Sequence, residues 1–417
     1  MTEGAARDIG DGGRAHAQVL RRAGSWFTRL LVVAWTAQFV SSAVRPLIIF
    51  RTLDTGAGPF QVGLVAAAFS AFALVAAIPL GKAVDRRGET GFLVMGGALV
   101  TVTLVALLAP ATLVTLAVCS ASLGLGHLSL VAASQTLIAK GAAAEVRESR
   151  FAWLTSVNAT AQIVGPAVTG LLIGGGGAAG SGAAGFRGDL VVALAASFAA
   201  VAVLTSVSLR RWPGALVRRV AAEPPPQRGS FAAVLRLPHV PTAMLASLTV
   251  LTCVDLLGTY VPVLGHEIGL SPRTIGLLLA LEGVAAMVVR FWMLPLITRF
   301  SRRRVLVTTM LLAAVSVSTI PLWAALERPL PGMVLAMLVC GLGLGIGQPA
   351  TMAWVASTTP PPLRGTAVGI RLSGNRLGLI LVPIGAGALA SSVGLAAAFW
   401  LPAVFLLISA ALVLRTR

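Results

Sequence analysis

Residues 81–90, "GKAVDRRGET", place a short run of charge between two apolar stretches of the chain. The stretch before it covers residues 62–80, and the stretch after it covers residues 91–109. Only 11% of the 417 residues are charged, 57% are hydrophobic, and the mean hydropathy is +0.90. A water-soluble domain carries roughly 25% charged residues. We therefore expect residues 81–90 to form a tight loop that joins two membrane-spanning helices.

Twelve apolar segments are long enough to cross a bilayer, since a helix of about 20 residues suffices. In chain order, spans one to twelve are predicted at residues 27–50, 60–80, 91–109, 111–139, 151–173, 190–209, 240–264, 274–297, 305–325, 333–358, 366–388 and 392–414. Pro110 separates spans three and four, because proline ends helices. The composition and these spans predict an all-α integral membrane protein.

Basic residues are distributed unequally between the two sides of the predicted membrane. Of the 32 Lys and Arg residues, twenty-four fall on the side of the N-terminus and four on the opposite side. Cytoplasmic loops are enriched in Lys and Arg, so both chain ends are predicted to be cytoplasmic. The formal net charge of +18 is then a topology signal, and we do not expect nucleic acid as a partner. The polar leader at residues 1–26 lacks the features of a cleaved signal peptide.

The sequence predicts two related halves joined by a polar linker. The linker at residues 210–238 contains "EPPPQRGS", which cannot continue a helix. Residues 124–170 match residues 341–387 at an offset of 217, with eleven of 47 positions identical. A second match at an offset of 213 pairs Pro59 with Pro272 and Gly63 with Gly276. Six-helix bundles are therefore predicted at residues 27–209 and 239–417, with the linker in the cytoplasm.

The loop between spans two and three resembles the signature loop of the major facilitator superfamily, a family of membrane transporters. The residues that carry this resemblance are Gly81, Asp85, Arg86 and Gly88. The resemblance implies the fold of that family, in which twelve helices form two pseudo-symmetric bundles, and transport by alternating access. It also implies that Asp85 holds the start of span eleven as a conformational gate. The sequence departs from the family pattern at Glu89 and Thr90, where a basic residue is usual.

Span five contains "NATAQIVGPAVTG" at residues 158–170, which resembles the Gly-Pro motif of drug/proton antiporters in the same superfamily. Gly165, Pro166 and Gly170 fit the motif and are predicted to bend the helix. Ala161 and Thr169 stand where the family has glycine. This resemblance favours the antiporter subclass.

Charged side chains inside the spans are expected to line a cavity, because charge in contact with lipid is costly. Spans three, six, nine and twelve contain none, as expected for the spans that form the outer scaffold in the family. The candidate residues for the substrate cavity and for coupling are Glu282, Asp255, Arg376, Arg371, Asn375, Asn158, Gln162, His127 and Arg290.

Two of these residues, Glu282 and Arg376, are predicted near the middle of the membrane, from a rise of about 1.5 Å per residue. We expect them to form an ion pair, because an unpaired buried charge is costly. The pair could be static, or it could take part in coupling. Arg45, nearer the outer interface, could extend its side chain to the lipid headgroups. His127 fits a packing role as well as a ligand or proton-carrying role.

Glu282 and Asp255 are the embedded acids that could carry a proton, because a low-dielectric cavity favours the neutral form of a carboxyl group. At the offset of 213 they correspond to Phe69 and Ser42, so neither acid has an acidic counterpart in the first half. No ATP-binding motif is present. The sequence therefore predicts a secondary active transporter for a small organic solute, with proton-coupled efflux as the favoured activity.

The alternative is proton-coupled uptake or facilitated diffusion of an anionic solute, because Arg371 and Arg376 give the predicted cavity positive charge. A membrane enzyme is not expected, since the four histidines are dispersed and form no catalytic pattern. We expect no metal and no cofactor. The predicted location is the cytoplasmic membrane of a bacterium, where the chain would act as a monomer with protons, a small-molecule substrate and the lipid bilayer as partners.

Overall fold

The computed structural model describes residues 3–142, 144–174, 181–210, 231–360 and 363–416. Within these ranges, side chains are described from Trp26 onward except at a few positions. Those positions are 78, 81, 82, 85–87, 144, 145, 148, 181–187, 210, 231, 364 and 365. Most of the predicted linker, residues 211–230, lies outside the described residues.

The described residues contain twelve helices that are long and apolar enough to cross a membrane, which confirms the predicted all-α fold. The helices that carry the twelve spans are, in order, Glu3–Asp54, Pro59–Arg87, Glu89–Ala106, Leu113–Gly141, Ala144–Gly174, Ser181–Arg210, Val240–Glu267, Pro272–Phe291, Arg302–Ala324, Pro329–Leu344 continued by Gly347–Thr358, Arg364–Val393 and Ala397–Arg415. Short helices at Phe231–Leu235 and Met293–Phe300 precede span seven and follow span eight.

Two spans differ from the sequence prediction. Span ten is divided into Pro329–Leu344 and Gly347–Thr358, and span eight ends at Phe291 before a separate short helix. Pro349 and Pro295 stand in the first turns of the two second helices, where a missing N–H leaves no helical hydrogen bond unmade. The divisions therefore follow from proline, which cannot donate to the carbonyl four residues earlier.

The apolar core consists of two clusters that follow the two halves of the chain. One cluster contains residues between Trp26 and Leu209. The other contains mainly residues after Val234, but it also includes four residues from the end of span one and the start of span two. Those four are Ile49, Phe50, Val62 and Ala66. The two halves are thus packed together at the end of the molecule where spans two and eight begin.

We call this end the closed end and define it by Pro59, Gly63, Gly170, Gly276 and Gly387. Spans two and eleven touch there through backbone: a Cβ on Gly63 would lie 2.5 Å from the carbonyl oxygen of Pro383. A Cβ on Gly387 would lie 2.7 Å from the carbonyl oxygen of Pro59. No side chain fits at such a distance, so glycine is required at both positions.

Spans five and eight repeat the same contact on the other side of the molecule. A Cβ on Gly276 would lie 2.5 Å from the carbonyl oxygen of Pro166, and one on Gly170 would lie 2.6 Å from that of Pro272. These residues are the repeat counterparts of Gly63, Pro383, Gly387 and Pro59 at the two offsets found in the sequence. The two contacts between the halves are therefore a pseudo-symmetric pair.

The loop backbone shows the same repeat. Gly88, which separates spans two and three, has φ 91° and ψ 145°, and its counterpart Ser301 has φ 73° and ψ 147°. Gly56 and its counterpart Gly269 have φ 78° and 73°. Ser301 thus keeps a backbone geometry that favours glycine, although the sequence of the second loop has diverged.

Tyr260, the one tyrosine in the chain, breaks the symmetry of the closed end. Its hydroxyl donates to the carbonyl oxygen of Pro383 at 2.9 Å, and the carbonyl oxygen of Pro59 lies 3.3 Å away. The repeat counterpart of Tyr260 is Leu47, which has no such group. The bond to Pro383 lies within the second half, and the contact with Pro59 crosses to the first half. The contact between spans five and eight lacks the counterpart of this hydroxyl.

We expect Gly387→Val to open the closed end, because a side chain of this size overlaps Pro59 and Phe60 on span two. Such overlap costs about 1–3 kcal/mol, which corresponds to a shift in the population of the packed state of roughly tenfold. The measurement is the rate at which a membrane-impermeant maleimide, added on the side of the closed end, labels Ser42→Cys in the central cavity. Gly374→Val on the same span is the matched control, since nothing lies within 4 Å of its Cβ. Equal labelling rates in the two variants would contradict the contact.

Candidate functional site

A cavity of about 270 Å³ lies between the two halves. Its described lining comes from spans one, two, four, five, seven, eight and eleven. Spans three, six, nine and twelve contribute no described lining residue, and neither does span ten. The polar and charged lining residues are Gln38, Ser41, Ser42, Arg45, Ser120, Gln162, Asp255, Thr259 and Glu282. Three predicted site residues, Gln162, Asp255 and Glu282, therefore face the cavity.

The charge pairing in the cavity differs from the sequence prediction. Arg45 of span one forms an ion pair with Asp255 of span seven, and the predicted pair between Glu282 and Arg376 is not formed. The repeat counterpart of Arg45 is Gly258, which lies one helical turn from Asp255. Pseudo-symmetry thus places the two side chains at similar depth on facing spans, so that Arg45 reaches Asp255 rather than the lipid headgroups.

The environment of Arg45 is partly aromatic. Its guanidinium carbon lies 4.7 Å from the centre of the Phe69 ring, a cation–π contact within the first half. The side chain of Asp255 is 9% exposed and that of Arg45 is 33% exposed. The carboxylate is therefore the more deeply buried partner, and Arg45 keeps a face open to the cavity.

Arg376 of span eleven lies beside this ion pair without joining it. Its guanidinium is within electrostatic range of Arg45, Asp255 and His127. Among the described residues it forms no hydrogen bond and no ion pair. His127 packs with its ring centre 6.1 Å from that of Phe69, and its buried Nδ1 has no partner in the described part of the chain. Arg45 and Arg376 therefore both lie near the single carboxylate of Asp255.

Glu282 lines the cavity from span eight and is in no ion pair among the described residues. Its backbone packs against span ten, since a Cβ on Gly341 would lie 2.2 Å from its carbonyl oxygen. In the first half, a Cβ on Gly124 would lie 1.8 Å from the carbonyl oxygen of Phe69. The backbone of Glu282 therefore occupies the pseudo-symmetric place of Phe69, but its side chain brings a carboxyl group to the cavity wall.

Arg371 and Asn375 are held within the second half. The Nη2 of Arg371 donates to the Oε1 of Gln348 at 2.8 Å, and the Nε2 of Gln348 donates to the carbonyl oxygen of Ser247 at 2.5 Å. The Nδ2 of Asn375 donates to the Oγ of Ser247 at 3.2 Å. This network joins spans seven, ten and eleven. Neither Arg371 nor Asn375 is among the described residues that line the cavity.

Two more predicted residues also lie away from the cavity lining. Arg290 donates from its Nε to the carbonyl oxygen of Gly345 at 2.9 Å. That carbonyl lacks a helical donor because Pro349 has no N–H, so Arg290 stabilises the division of span ten. The side-chain oxygen of Asn158 on span five is buried and has no partner in the described part of the chain.

The Gly-Pro motif of span five is a packing surface. The helix continues through Pro166 to Gly174. A Cβ on Gly165 would lie 2.6 Å from the Cβ of Ser42, and Gly170 makes the contact with span eight described above. Thr169 donates to the carbonyl oxygen of Ala43 at 2.8 Å. The motif therefore brings span five close to spans one and eight.

The signature loop is described only in part. Gly88 has the positive φ that the turn requires. The side chains of Asp85 and Arg86, and residue Gly81, lie outside the described side chains. Glu89 forms an ion pair with Lys140 at the end of span four, with an N–O distance of 2.9 Å. The acidic residue that departs from the family pattern is thus matched by one of the two lysines in the chain.

Sequence reasoning missed several functional positions. Gln348 was identifiable as a side-chain amide beside the glycine-rich segment of span ten, and Tyr260 as the one tyrosine in the chain. Small hydroxyl residues such as Ser41, Ser42 and Ser120 carry no sequence signal, because they also occur as packing residues in spans. Within the described residues, no group of three or more His, Cys, Asp or Glu side chains could hold a metal ion.

Comparisons with known proteins agree with this architecture. The family model described as "Major Facilitator Superfamily" matches residues 30–268 and 243–417. The chain is 32% identical over 68 residues to the arabinose-proton symporter of Bacillus subtilis. It is 34% identical over 125 residues to the 3-(3-hydroxy-phenyl)propionate transporter of Escherichia coli. These matches cover 16% and 28% of this chain, and 14% and 28% of the two relatives.

A solved structure has a similar fold over nearly the whole chain. The inward-open conformation of the xylose transporter from E. coli superposes with a TM-score of 0.73. The match covers 94% of this chain and 96% of that protein, at 14% sequence identity. At this identity the likeness shows the fold alone.

The ion pair between Arg45 and Asp255 is expected to show energetic coupling in a double-mutant cycle. Asp255→Asn leaves two arginines without a carboxylate, so it lowers stability more than Arg45→Gln does. The double variant is expected to be more stable than the sum of the single effects predicts, by about 0.5–3 kcal/mol, the usual range for residues in one network. The measurement is the unfolding midpoint of the purified protein in detergent. Additive effects of the two substitutions would show that the pair contributes no net stability.

Proposed function

This chain belongs to the Major Facilitator Superfamily, and we propose that it is a proton-coupled secondary transporter for a small organic solute. The family match and the transporter fold indicate a transporter and not an enzyme. The observation that carries the proposal of proton coupling is Glu282, a carboxyl group on the cavity wall without an ion-pair partner among the described residues.

Glu282 fits the role of proton carrier for two physical reasons. Arg290 lies within electrostatic range of Glu282, but it donates to the carbonyl oxygen of Gly345 and forms no ion pair with Glu282. An ionised carboxylate without a paired cation is costly in a poorly solvated cavity, so proton binding lowers its energy. The same side chain faces the cavity lumen, where a solute and water can reach it. Asp255, the other embedded acid, is already paired with Arg45 and neutralises the charge of that arginine.

Alternating access would use the two glycine contacts as the gate at the closed end. With both chain ends in the cytoplasm, as the distribution of Arg and Lys predicts, the closed end faces outward. The structure would then be the inward-facing state, in keeping with its likeness to the inward-open xylose transporter. Opening the closed end requires spans two and five to separate from spans eleven and eight, and the hydroxyl of Tyr260 to lose its contact with the carbonyl oxygen of Pro59.

The signature loop would act at the opposite end of the molecule. We propose that Asp85 accepts hydrogen bonds at the start of span eleven when the transporter faces outward, since carboxylates are favoured at helix N-termini. Gly88 allows spans two and three to turn sharply beside it. Asp85→Asn should slow transport without altering membrane insertion.

Two directions of transport remain to be distinguished by experiment. Efflux is favoured by the resemblance of span five to drug/proton antiporters. Uptake is favoured by the relative that is a symporter of arabinose and protons. In proteoliposomes with an imposed pH gradient, an antiporter moves its solute against the proton flux and a symporter moves it with that flux. The sign of solute-dependent proton movement therefore decides between the two.

We further propose that the protein acts as a monomer in the cytoplasmic membrane of a bacterium. The central cavity is formed by the two halves of one chain. One chain therefore provides both sides of the pathway.

We expect Glu282→Gln to abolish solute transport driven by a pH gradient and to preserve exchange of solute across the membrane. The amide keeps the shape of the side chain but cannot bind a proton. A pH-sensitive dye in proteoliposomes first identifies, from a broad panel of compounds, a solute that moves protons through the wild type. Gradient-driven uptake and exchange of that solute are then measured for the variant.

Glu267→Gln is the matched control, because Glu267 is exposed at the end of span seven and away from the cavity. It should keep both gradient-driven transport and exchange. Full gradient-driven transport by Glu282→Gln would exclude Glu282 as the proton carrier. Full gradient-driven transport by the double variant Asp255→Asn/Glu282→Gln would exclude proton coupling through the embedded acids.

A further inference from the structure

Positive charge exceeds negative charge among the embedded residues. The six charged residues identified inside the spans are four arginines and two acids. Two of the arginines are engaged by neutral acceptors of the second half: Arg371 by Gln348 and Arg290 by Gly345. The excess charge that faces the centre of the molecule must therefore come from the other two, Arg45 and Arg376.

Arg45 and Arg376 share a single carboxylate. Asp255 forms an ion pair with Arg45, whereas Arg376 forms none with any described residue although all three side chains lie within electrostatic range. The nearby His127 is in range of Arg376 as well and adds no negative charge. One guanidinium charge is thus left without a counter-charge between the two halves, which is costly in a poorly solvated region.

The position of this charge is suited to a ligand in the cavity. Arg45 lines the cavity directly. Arg376 is not among the described lining residues, but it is one helical turn from Leu379, which lines the cavity, and it lies within electrostatic range of Arg45. Arg45 belongs to the first half and Arg376 to the second. An anion placed between them would be held by both halves, and bidentate hydrogen bonding from guanidinium groups is a favoured way to bind a carboxylate.

The rest of the cavity wall is largely aliphatic. Its larger aliphatic side chains come from spans one, seven, eight and eleven, and they include Ile48, Ile49, Leu251, Val254, Leu279 and Leu379. No aromatic side chain is among the described lining residues. The volume of about 270 Å³ is at or below the lower end of the range for drug-sized ligands, roughly 300–1,000 Å³. The wall therefore fits a compact hydrocarbon body.

We propose that the cavity binds a small organic monocarboxylate, with its carboxylate between Arg45 and Arg376 and its hydrocarbon body against the aliphatic wall. This inference rests on the proposed function, since it names the substrate class of the same cavity. A single negative charge matches the single unpaired guanidinium, so a monoanion is favoured over a dianion. A neutral or cationic solute would leave Arg376 unmatched.

The test uses purified full-length protein at one fixed pH, without a membrane gradient. The probes are butyrate, octanoate and 3-phenylpropionate, each compared with its primary amide and with the amine of the same carbon skeleton. The measured quantities are the shift of the unfolding midpoint and the dissociation constant derived from its concentration dependence. We expect at least one carboxylate to stabilise the wild type, and its amide and amine to give no comparable shift.

Substitutions of Arg376 then locate the site. Arg376→Gln should weaken binding of the stabilising carboxylate at least about tenfold, the loss expected for a charged hydrogen bond. Arg376→Lys keeps the charge without the forked geometry and should recover part of the affinity. Arg328→Gln, at an exposed position between spans nine and ten, is the matched control and should bind as the wild type does.

Three results would each overturn the proposal. They are the absence of stabilisation by every carboxylate, equal stabilisation by carboxylate and amide, and unchanged affinity in Arg376→Gln. A variant that is unstable before ligand is added shows a lowered midpoint on its own, and Arg376→Lys then supplies the comparison. Binding is measured without a gradient, so the two proposals are tested separately. If no carboxylate binds, proton coupling through Glu282 is not affected. If Glu282→Gln keeps gradient-driven transport, anion binding is not affected.

Discussion

The architecture of this protein depends on direct backbone contact between its two halves at the closed end. Glycine at four positions removes the side chains that would hold spans two and eleven, and spans five and eight, apart. Each contact places a glycine against the carbonyl of a proline, and the two contacts are related by the internal repeat. Close contact without interlocking side chains suits surfaces that must separate and meet again, because little side-chain packing has to be rebuilt.

The closed end also determines which charged residues face each other. Once the halves meet at the closed end, Arg45 and Asp255 face each other across the interface, and Arg376 lies beside them. Positions that are equivalent in the repeat carry unequal side chains: Glu282 replaces Phe69, Asp255 replaces Ser42, and Tyr260 replaces Leu47. Symmetry of the backbone thus provides the closed end, whereas asymmetry of the side chains provides the proposed binding site and the proposed proton carrier.

Sequence patterns predicted the twelve spans from hydrophobic length, and they predicted the repeat from residues that recur at a fixed offset. The spans that line the cavity were predicted only in part, because span ten contributes no described lining residue. Pairing of the embedded charges could not be predicted from depth alone. Glu282 and Arg376 were predicted at similar depth, but the rotation of each helix about its axis also decides which side chains meet, and Arg45 pairs with Asp255. The division of span ten was also missed, because proline does not always end a helix: Pro166 and Pro383 lie inside continuous helices. At span ten, Arg290 stabilises the division by donating to the carbonyl that Pro349 leaves free.

The central claim is that the two halves rock about the central cavity, so that the closed end and the opposite end of the molecule open in alternation. The most direct measurement is the distance distribution between spin labels in lipid nanodiscs, with one pair at Thr55 and Glu267 beside the closed end and another at Ser149 and Ser357 at the opposite end. We predict two populations in which a short distance at one end accompanies a long distance at the other, with their ratio shifted by pH. Distances that stay fixed at both ends, or that change at the two ends independently, would contradict the account.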